Sequence, residues 1–366
     1  MEGSCDGRED VAVRKVSVAV VGATGNIGQR FVSLLQDHPS FEIAVITASE
    51  GKVGGRLSDF WRLPDVSLDP DVGSLELQPL DVKLLARAGV EATFSGLPAD
   101  RAGEFEKDAA VAGMKVFSNA SSHRMEADVP LLVPEVNADH LALVERQTTF
   151  PGGGFIVTNP NCSVTGLVLA LKPLVEAFDF AQVHVATYQA LSGAGYPGVP
   201  ALDIEGNVLP FIEHEEEKIR RESKKLLGVR SEGIVPSEID VWANCARVAV
   251  QDGHLEAVSI PFRGDVRAEE VVAILSFFRG EAQHLGLPTA PERPVLVRPE
   301  NNRPQPLLDR MAGEPERARG MAATVGRIRV TDGVLRFFLL SHNTIRGGAG
   351  GSVLNAELAH RRGYLG

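Results

Sequence analysis

The hydrophobic pattern of the first third of the chain alternates between short apolar runs and amphipathic stretches. Four apolar, β-branched runs predict buried strands at residues 16–21, 42–47, 90–99 and 115–118. A helix is predicted after the first run, because apolar residues recur at helical spacing at Ile27, Phe31, Leu34 and Leu35. Residues 100–113 predict a second helix with Asp100 as its N-cap. Strands that alternate with helices predict a parallel sheet, so the expected fold class is α/β.

The rest of the chain has longer strand-like runs. Residues 155–157 predict a strand that leads into a helix beginning near Ser163. Further strands are predicted at residues 183–189, 241–250, 323–330 and 334–341. Residues 244–262 predict two strands joined by a tight Gln-Asp-Gly turn. Residues 214–228 predict a helix whose charge pairs at i,i+3 and i,i+4 are typical of a solvated surface.

Three glycines between the first strand and its helix form a pattern that suits a dinucleotide. Gly22 permits a tight turn, Gly25 lets the backbone approach a pyrophosphate, and Gly28 lets the helix pack closely on the strand. The pattern alone is weak evidence, but here a strand precedes it and a helix and a second strand follow it. We therefore expect a nucleotide-binding site in this part of the chain.

The residues after the second strand favour NADP. Ser49 and Lys52 suit a 2′-phosphate, whereas Glu50 would repel that phosphate if its side chain pointed inward. A solvated loop without a ligand role is the alternative interpretation of the same residues.

Cys162 lies in the polar stretch Asn159-Pro160-Asn161-Cys162-Ser163, where a strand passes into a helix. Unpaired amides at a helix start favour a thiolate, and the asparagines offer donors to an oxyanion. A buried cysteine that only fills space is an equally good interpretation of this stretch alone. Taken singly, Arg124 is typical of a surface arginine and His254 of a half-exposed polar residue. Arg247 and His254 flank the predicted turn, which would bring them near one another.

Size, charge and cysteine content narrow the function classes. At 366 residues the chain exceeds the usual size of a single core, so two domains are expected. Asp and Glu number 48 against 37 Lys and Arg, and a net charge of -11 argues against nucleic-acid or anionic-membrane partners. The three cysteines are far apart, which fits a reducing cytoplasm and neither a disulfide framework nor a zinc site. Residues 1–10 predict a loose polar tail, and no run of apolar residues suits a membrane helix.

Seven motifs in this order resemble the aspartate-semialdehyde dehydrogenases, in particular their archaeal and fungal branch. They are GATGNIG at 22–28, SNASSHRM at 118–125, NPNCS at 159–163, YQALSGAG at 188–195, EEEK at 215–218, RVAVQDGH at 247–254 and SHNTIRGGAGG at 341–351. The resemblance covers nearly the whole chain. It implies a Rossmann dinucleotide-binding domain of residues 11–158 completed by residues 343–366, and an α/β, mixed-sheet catalytic and dimerisation domain of residues 159–342.

The resemblance also implies a role for individual residues. Cys162 would be the nucleophile, His254 the general acid/base, and Gln189 would orient the substrate near the thiol. Arg247 would hold the substrate's carboxylate, and Arg124 its phosphate. The remaining expected substrate-binding residues are Asn119, Asn161, Glu215 and Lys218. The expected cofactor-binding residues are Gly22, Thr24, Gly25, Asn26, Ile27, Gly28, Ser49, Lys52, Ser192, Gly193, Asn343 and Gly348.

The implied reaction is the NADPH-dependent reduction of 4-phospho-L-aspartate to L-aspartate 4-semialdehyde and phosphate, through a thioester on Cys162 and without a metal. The implied enzyme is a cytoplasmic homodimer or homotetramer. The family commonly has an arginine in the loop after the second strand, which this sequence lacks, so an NADP preference would rest on Lys52.

Three alternatives stay open at this stage. Malonyl-CoA reductases resemble the same branch and reduce a thioester by the same cysteine route, but Asn161 and the Glu215–Lys218 pair suit an aminated, phosphorylated substrate. N-acetyl-glutamyl-phosphate reductase shares the chemistry and is less similar in its motifs. A catalytically idle NADP-binding relative would be expected to lose a reactive residue, and the expected ones are all present.

Overall fold

A computed structural model describes residues 14–366, and the expected tail and Cys5 lie outside the described residues. The first of its sheets has five parallel strands in the order β2-β1-β3-β4-β5. Its strands are β1 Val16–Val21, β2 Phe41–Ile46, β3 Ala92–Ser95, β4 Lys115–Ser118 and β5 Phe155–Thr158. Helices α1 Asn26–Leu35, α2 Pro70–Gly73, α3 Val82–Arg87, α4 Ala99–Val111 and α5 Pro134–Asn137 belong to the same part of the chain. Helix α4 has Pro98 at its N-cap, so Asp100 lies in the first turn and the predicted cap is wrong.

The turn between β1 and α1 is built as the glycine pattern predicts. Gly22 has φ +78°, a backbone conformation that L side chains rarely adopt. A Cβ on Gly28 would clash with the carbonyl oxygen of Gly22, so only glycine lets α1 start this close to β1. The turn therefore presents the backbone to the carboxyl end of the sheet.

The second large sheet is mixed and has six strands in the order β11-β12-β13-β10-β6-β9. Its strands are β6 Gln182–Gln189, β9 Asp240–Arg247, β10 His254–Pro261, β11 Val295–Arg298, β12 Ala323–Thr331 and β13 Val334–Ser341. A separate antiparallel pair is formed by β7 Val229–Arg230 and β8 Ile234–Val235. A parallel sheet next to a mixed sheet confirms the expected α/β fold class.

The predicted tight hairpin between β9 and β10 is wrong. Strand β6 lies between them, pairing parallel with β9 and antiparallel with β10. Residues 248–253 therefore cross the end of β6 instead of making a two-strand turn. Arg247 ends β9 and His254 begins β10, so both residues still lie at the same end of the sheet.

Helices cover one face of the mixed sheet. Helices α6 Cys162–Ala177, α8 Glu215–Leu226 and α9 Ala268–Phe277 share one hydrophobic core with its buried side chains. The shorter helices of this part of the chain are α7 Ala201–Ile204, α10 Glu281–His284 and α11 Pro306–Asp309. Helix α6 follows β5 after only residues 159–161, so Cys162 lies at the junction between the first sheet and the domain of the mixed sheet.

The chain returns to the first sheet at its C-terminal end. A π-helical turn, Ile345–Ala349, leads into α12 Gly350–Arg361, whose Val353 and Leu354 join the core of the first sheet. The fully buried Arg346 makes two hydrogen bonds to Glu135, of 2.9 and 2.6 Å. A buried, bidentate pair of this kind fixes the returning segment against α5.

Candidate active site

Asn161 caps helix α6 and has every polar group of its side chain bonded. Its Oδ1 accepts hydrogen bonds from the backbone N–H groups of Ser163 and Val164, at 2.9 and 3.3 Å. Its Nδ2 donates to Glu215, and its backbone N–H donates to Glu222 at 2.6 Å. These contacts fix the backbone on both sides of Cys162, the first residue of the helix.

The imidazole of His254 faces the sulfur of Cys162. The Nε2 of His254 lies 3.1 Å from Sγ, and its Nδ1 accepts a hydrogen bond of 3.0 Å from the backbone N–H of Ala190. His254 is fully buried, while Cys162 keeps partial exposure. The two side chains that the resemblance makes catalytic therefore meet, although they stand 92 positions apart in the chain.

Glu215 joins three of the expected site residues. Its Oε1 accepts hydrogen bonds from Asn161 at 2.8 Å and from Gln189 at 3.0 Å. Lys218 lies 3.7 Å from the other oxygen, Oε2. The amide of Gln189 is thereby held near the thiol.

Two arginines approach the same place from different elements. Arg247 is buried and donates from Nη1 to the carbonyl oxygen of Ala190 at 2.8 Å. Within residues 14–366 it forms no ion pair, so its charge is available to a ligand. Arg124 donates to Glu222 at 2.9 Å and to the carbonyl oxygen of Asn119 at 2.7 Å. A pair of oriented guanidinium groups suits a dianionic ligand.

Helix α8 contributes two residues that the sequence did not single out. Glu222 binds both Arg124 and the backbone of Asn161. Lys225 is buried and donates 2.8 Å hydrogen bonds to three carbonyl oxygens, those of Arg124, Glu126 and Val129. Glu215, Glu222 and Lys225 recur at spacings of seven and three, which places them on one face of the helix. That spacing could have indicated a buried polar face, but α8 has so many charged residues that these three do not stand out in the sequence.

The thiol of Cys162 is not acidic in this arrangement. Burial raises its pKa to about 12, and the charge of Glu215 adds to the effect, while Arg247 and Arg124 oppose it. Burial thus outweighs the positive partial charge of the helix start at this thiol. Cys245 also has a pKa raised to about 12 by burial.

A second group of expected residues lines a cavity at the carboxyl end of the first sheet. The cavity has a volume of about 550 Å³, and its lining includes Gly22, Thr24, Gly25, Ser49 and Glu50. Lys52 stands beside this cavity, because its Nζ donates to Thr24 Oγ1 at 3.0 Å and lies over the ring of Phe60. Arg101, which the sequence did not indicate, is the one cation in the lining. A glycine-containing turn that exposes its backbone, with cations nearby, fits the phosphates of a dinucleotide.

Other expected cofactor-binding residues connect this cavity to the thiol. Asn26 donates a hydrogen bond to the carbonyl oxygen of Ser192 at 2.9 Å, and Asn343 donates one to the hydroxyl of Ser192 at 2.7 Å. Asn343 also accepts from the backbone N–H of Gly253, next to His254. Gly193 packs on Arg247 and His254, and a Cβ there would lie 2.8 Å from an Arg247 nitrogen.

Glycines let the C-terminal segment close over the site. A Cβ on Gly347 would lie 2.7 Å from the Cα of Cys162, and one on Gly351 would clash with Asn159. A Cβ on Gly348 would meet Ile27 of α1 at 2.9 Å. The glycine-rich motif thus brings both domains against the thiol-bearing turn.

Neither a membrane-spanning helix nor a metal-binding cluster is present in the part of the chain that the structure describes. In residues 14–366 no helix is long and apolar enough to span a bilayer. The same residues contain no group of three or more His, Cys, Asp or Glu side chains arranged to hold a metal ion.

The chain is similar to known proteins over almost its whole length. A family model for the semialdehyde dehydrogenase NAD-binding domain matches residues 17–144, and a model for the semialdehyde dehydrogenase dimerisation domain matches residues 171–346. The aspartate-semialdehyde dehydrogenase of Archaeoglobus fulgidus is 47% identical over 94% of this chain and 98% of its own. The NADP-dependent malonyl-CoA reductase of Metallosphaera sedula is 38% identical, covering 96% of this chain and 99% of its own.

One solved structure is similar in both sequence and fold. The crystal structure of aspartate-semialdehyde dehydrogenase with NADP from Candida albicans has a TM-score of 0.84 and 40% identity. The match covers 95% of this chain and 99% of that chain.

Lys225 donates three hydrogen bonds to the segment that carries Arg124. Removing the Lys225 ammonium group should therefore make the backbone of this segment less ordered. In Lys225→Met, we expect faster amide hydrogen exchange in residues 119–129 and roughly tenfold weaker binding of inorganic phosphate by calorimetry. Lys224→Met is the matched control, because Lys224 points outward to Asp240. Unchanged exchange and phosphate affinity in Lys225→Met, or equal losses in both variants, would contradict this role.

Proposed function

The chain is an NADP-dependent oxidoreductase that belongs to the aspartate-semialdehyde dehydrogenase family, and from that premise we propose how its residues act on the substrate. The proposed reaction reduces 4-phospho-L-aspartate to L-aspartate 4-semialdehyde with release of phosphate. The observation that carries the proposal is the contact between Cys162 and His254, at 3.1 Å, beside two arginines of different elements.

Binding comes first, and the substrate carries charges that the site can meet. Arg247 forms no ion pair in residues 14–366 and takes the α-carboxylate through its planar fork. Arg124 and Lys218 take the phosphate, and Glu215 takes the amino group. Gln189, held by Glu215, orients the carbonyl carbon toward the sulfur.

Covalent chemistry follows at Cys162. The sulfur attacks the acyl phosphate and phosphate leaves, which produces a thioester. When bound, NADPH would supply the hydride that reduces this thioester to a hemithioacetal, and the backbone of the turn after β1 would hold the cofactor's phosphates. Collapse of the hemithioacetal releases the aldehyde and frees the sulfur. His254 stands next to the sulfur at each of these steps.

The reaction needs a reduced thiol, and both cysteines that the structure describes are free. A persistent free nucleophile fits the reducing cytoplasm, where we place the enzyme. A thiol reagent tests this placement by measuring the fraction of Cys162 that is free before and after the purified chain is exposed to glutathione at the ratio found in cells. We expect Cys162 to remain free, and an oxidised, inactive Cys162 under those conditions would contradict the placement.

A malonyl-CoA reductase activity is the second candidate, because a relative with that activity is 38% identical. The contacts of Glu215 argue against a malonyl-CoA reductase activity. That carboxylate binds Asn161 and Gln189 and stands beside Lys218, an arrangement that suits an amino group and a phosphate and has no role for malonyl-CoA.

The direct test is turnover in the reverse direction. With L-aspartate 4-semialdehyde, phosphate and NADP⁺, we expect NADPH to form only when phosphate or arsenate is present. Cys162→Ala should lower the rate by at least about 10³-fold, because the covalent step is lost. Cys245→Ala is the control and should keep turnover, since that cysteine lies in the core. Phosphate-independent turnover, or an efficient reduction of malonyl-CoA, would overturn the proposal.

Cofactor preference should depend on Lys52. Its ammonium group is held beside the cavity by Thr24, so we propose that it meets the 2′-phosphate in place of the arginine that the family has in this loop. Lys52→Met should weaken NADPH binding about tenfold or more and leave NADH almost unchanged, measured by fluorescence titration. Lys83→Met, an exposed lysine of α3, is the control. Equal losses for both cofactors would instead assign Lys52 to the shared part of the dinucleotide.

The chain forms oligomers, and we propose a homodimer formed through the open face of the mixed sheet. That face carries Tyr188 and Trp242, which are 39% and 47% exposed, and the Trp242 ring contacts His184. Exposed aromatic side chains on a sheet face are typical of an interface. Trp242→Glu should therefore shift the sedimentation coefficient from that of a dimer toward that of a monomer. A wild-type monomer, or an unchanged dimer in the variant, would contradict this surface.

A further inference from the structure

The cavity beside the glycine turn has two walls, and they come from different strands. Strand β1 lies between β2 and β3 in the first sheet, so the loops that follow β2 and β3 stand on either side of the turn. Residues 47–53 contribute one wall, and residues 96–98 with the first turn of α4 contribute the other. A Cβ on Gly96 would lie 3.1 Å from the backbone nitrogen of Gly28, so the second wall packs directly against the start of α1.

Opposite charges lie on these two walls. Glu50 belongs to the loop after β2, and Arg101 belongs to the first turn of α4. Within residues 14–366, neither side chain forms an ion pair or a side-chain hydrogen bond. Arg101 therefore brings an unpaired guanidinium group to a cavity that suits a dinucleotide.

The charges on the β2 side of the cavity cancel one another. Glu50 carries one negative charge, and Lys52 carries one positive charge. The Lys52 ammonium group already donates to Thr24 Oγ1 at 3.0 Å and lies 5.3 Å from the centre of the Phe60 ring. A phosphate monoester carries about two negative charges at neutral pH. An NADP-dependent chain with this loop therefore needs a further cation for the 2′-phosphate, and Arg101 is the cation that the opposite wall provides.

We propose that Arg101 is a specificity-determining residue that binds the 2′-phosphate of NADP(H) from the α4 side of the cavity, opposite Ser49 and Lys52. Its planar fork can donate to two phosphate oxygens at once. Helix α4 thereby supplies the arginine that the family commonly has in the loop after the second strand. The inference concerns the cofactor alone, so it does not depend on the proposed reaction.

A stacking contact with adenine is the other role open to a guanidinium group at this place. Apolar side chains that would flank an adenine ring line the same cavity, among them Val53, Leu80 and Leu97. A stacked Arg101 would contribute equally to NAD and NADP, because both contain adenine. The cancelled charges of Glu50 and Lys52 favour the phosphate contact instead, since they leave the 2′-phosphate without a net attraction on the β2 side.

Two fragments of the cofactor separate these roles by calorimetry on the full-length chain. The probes are 2′,5′-ADP, which contains the 2′-phosphate, and 5′-AMP, which lacks it. Arg101→Met should weaken 2′,5′-ADP about tenfold or more and change 5′-AMP less than about twofold, because a charge-assisted hydrogen bond is lost only with the first probe. Arg101→Lys should fall between wild type and Arg101→Met, since it keeps the charge and loses the fork.

Lys107→Met is the matched control for these variants. Lys107 is an exposed cation further along the same helix, where its Nζ lies 3.6 Å from Glu126. We expect this variant to bind both probes as the wild type does. Equal losses of 2′,5′-ADP and 5′-AMP in Arg101→Met would assign Arg101 to adenine and overturn the proposal. Unchanged binding of 2′,5′-ADP, or a loss of the same size in Lys107→Met, would overturn it as well.

Glu50→Gln gives a second readout, of opposite sign. Removing this carboxylate should strengthen 2′,5′-ADP about threefold, because a repulsion on the β2 side is lost, and leave 5′-AMP nearly unchanged. Unchanged or weaker binding of 2′,5′-ADP would contradict the charge balance on which the role of Arg101 rests. None of these measurements requires turnover, so a chain that fails to act on L-aspartate 4-semialdehyde would refute the proposed function and leave the test of Arg101 intact.

Discussion

The start of helix α6 is the constraint on which the rest of the site depends. Asn161 binds the free amides of that helix with its side-chain oxygen, and its two donors bind Glu215 and Glu222 of α8. Those same two carboxylates hold Gln189 and Arg124. One residue therefore couples the position of the thiol to the groups that orient and bind the substrate. Any shift of α8 against α6 would move the nucleophile and its ligands together.

Charge distribution within the site follows from which groups already have partners. Arg124 is held in place by its ion pair with Glu222, whereas Arg247 forms no ion pair in residues 14–366 and keeps its charge for a carboxylate. The Cys162 thiol is surrounded closely enough for its pKa to rise to about 12. Burial therefore outweighs the two arginines at this thiol and keeps it protonated near neutral pH.

Sequence patterns predicted the family, the α/β fold class and the NADP cofactor, which are confirmed. The local patterns succeeded where one element determines the geometry, as in the strand, glycine turn and helix of residues 16–35. They failed where pairing is non-local: a Gln-Asp-Gly sequence between two strands looks like a hairpin, and nothing in those residues shows that β6 lies between them. Glu222 and Lys225 were missed because each binds backbone groups, those of Asn161 for Glu222 and those of residues 124–129 for Lys225, which have no sequence signature. Individual site roles stay predictions, although the expected catalytic residues do lie together around Cys162.

Transfer of the aspartyl group from the acyl phosphate to the sulfur of Cys162 is the step on which the proposed mechanism depends. It is measured most directly by rapid acid quenching of the chain with 4-phospho-L-aspartate in the absence of NADPH, followed by peptide mass spectrometry. We expect an aspartyl adduct on the peptide that contains Cys162, removed by hydroxylamine, with one equivalent of phosphate released. Phosphate release without an adduct, or an adduct on another residue, would contradict it.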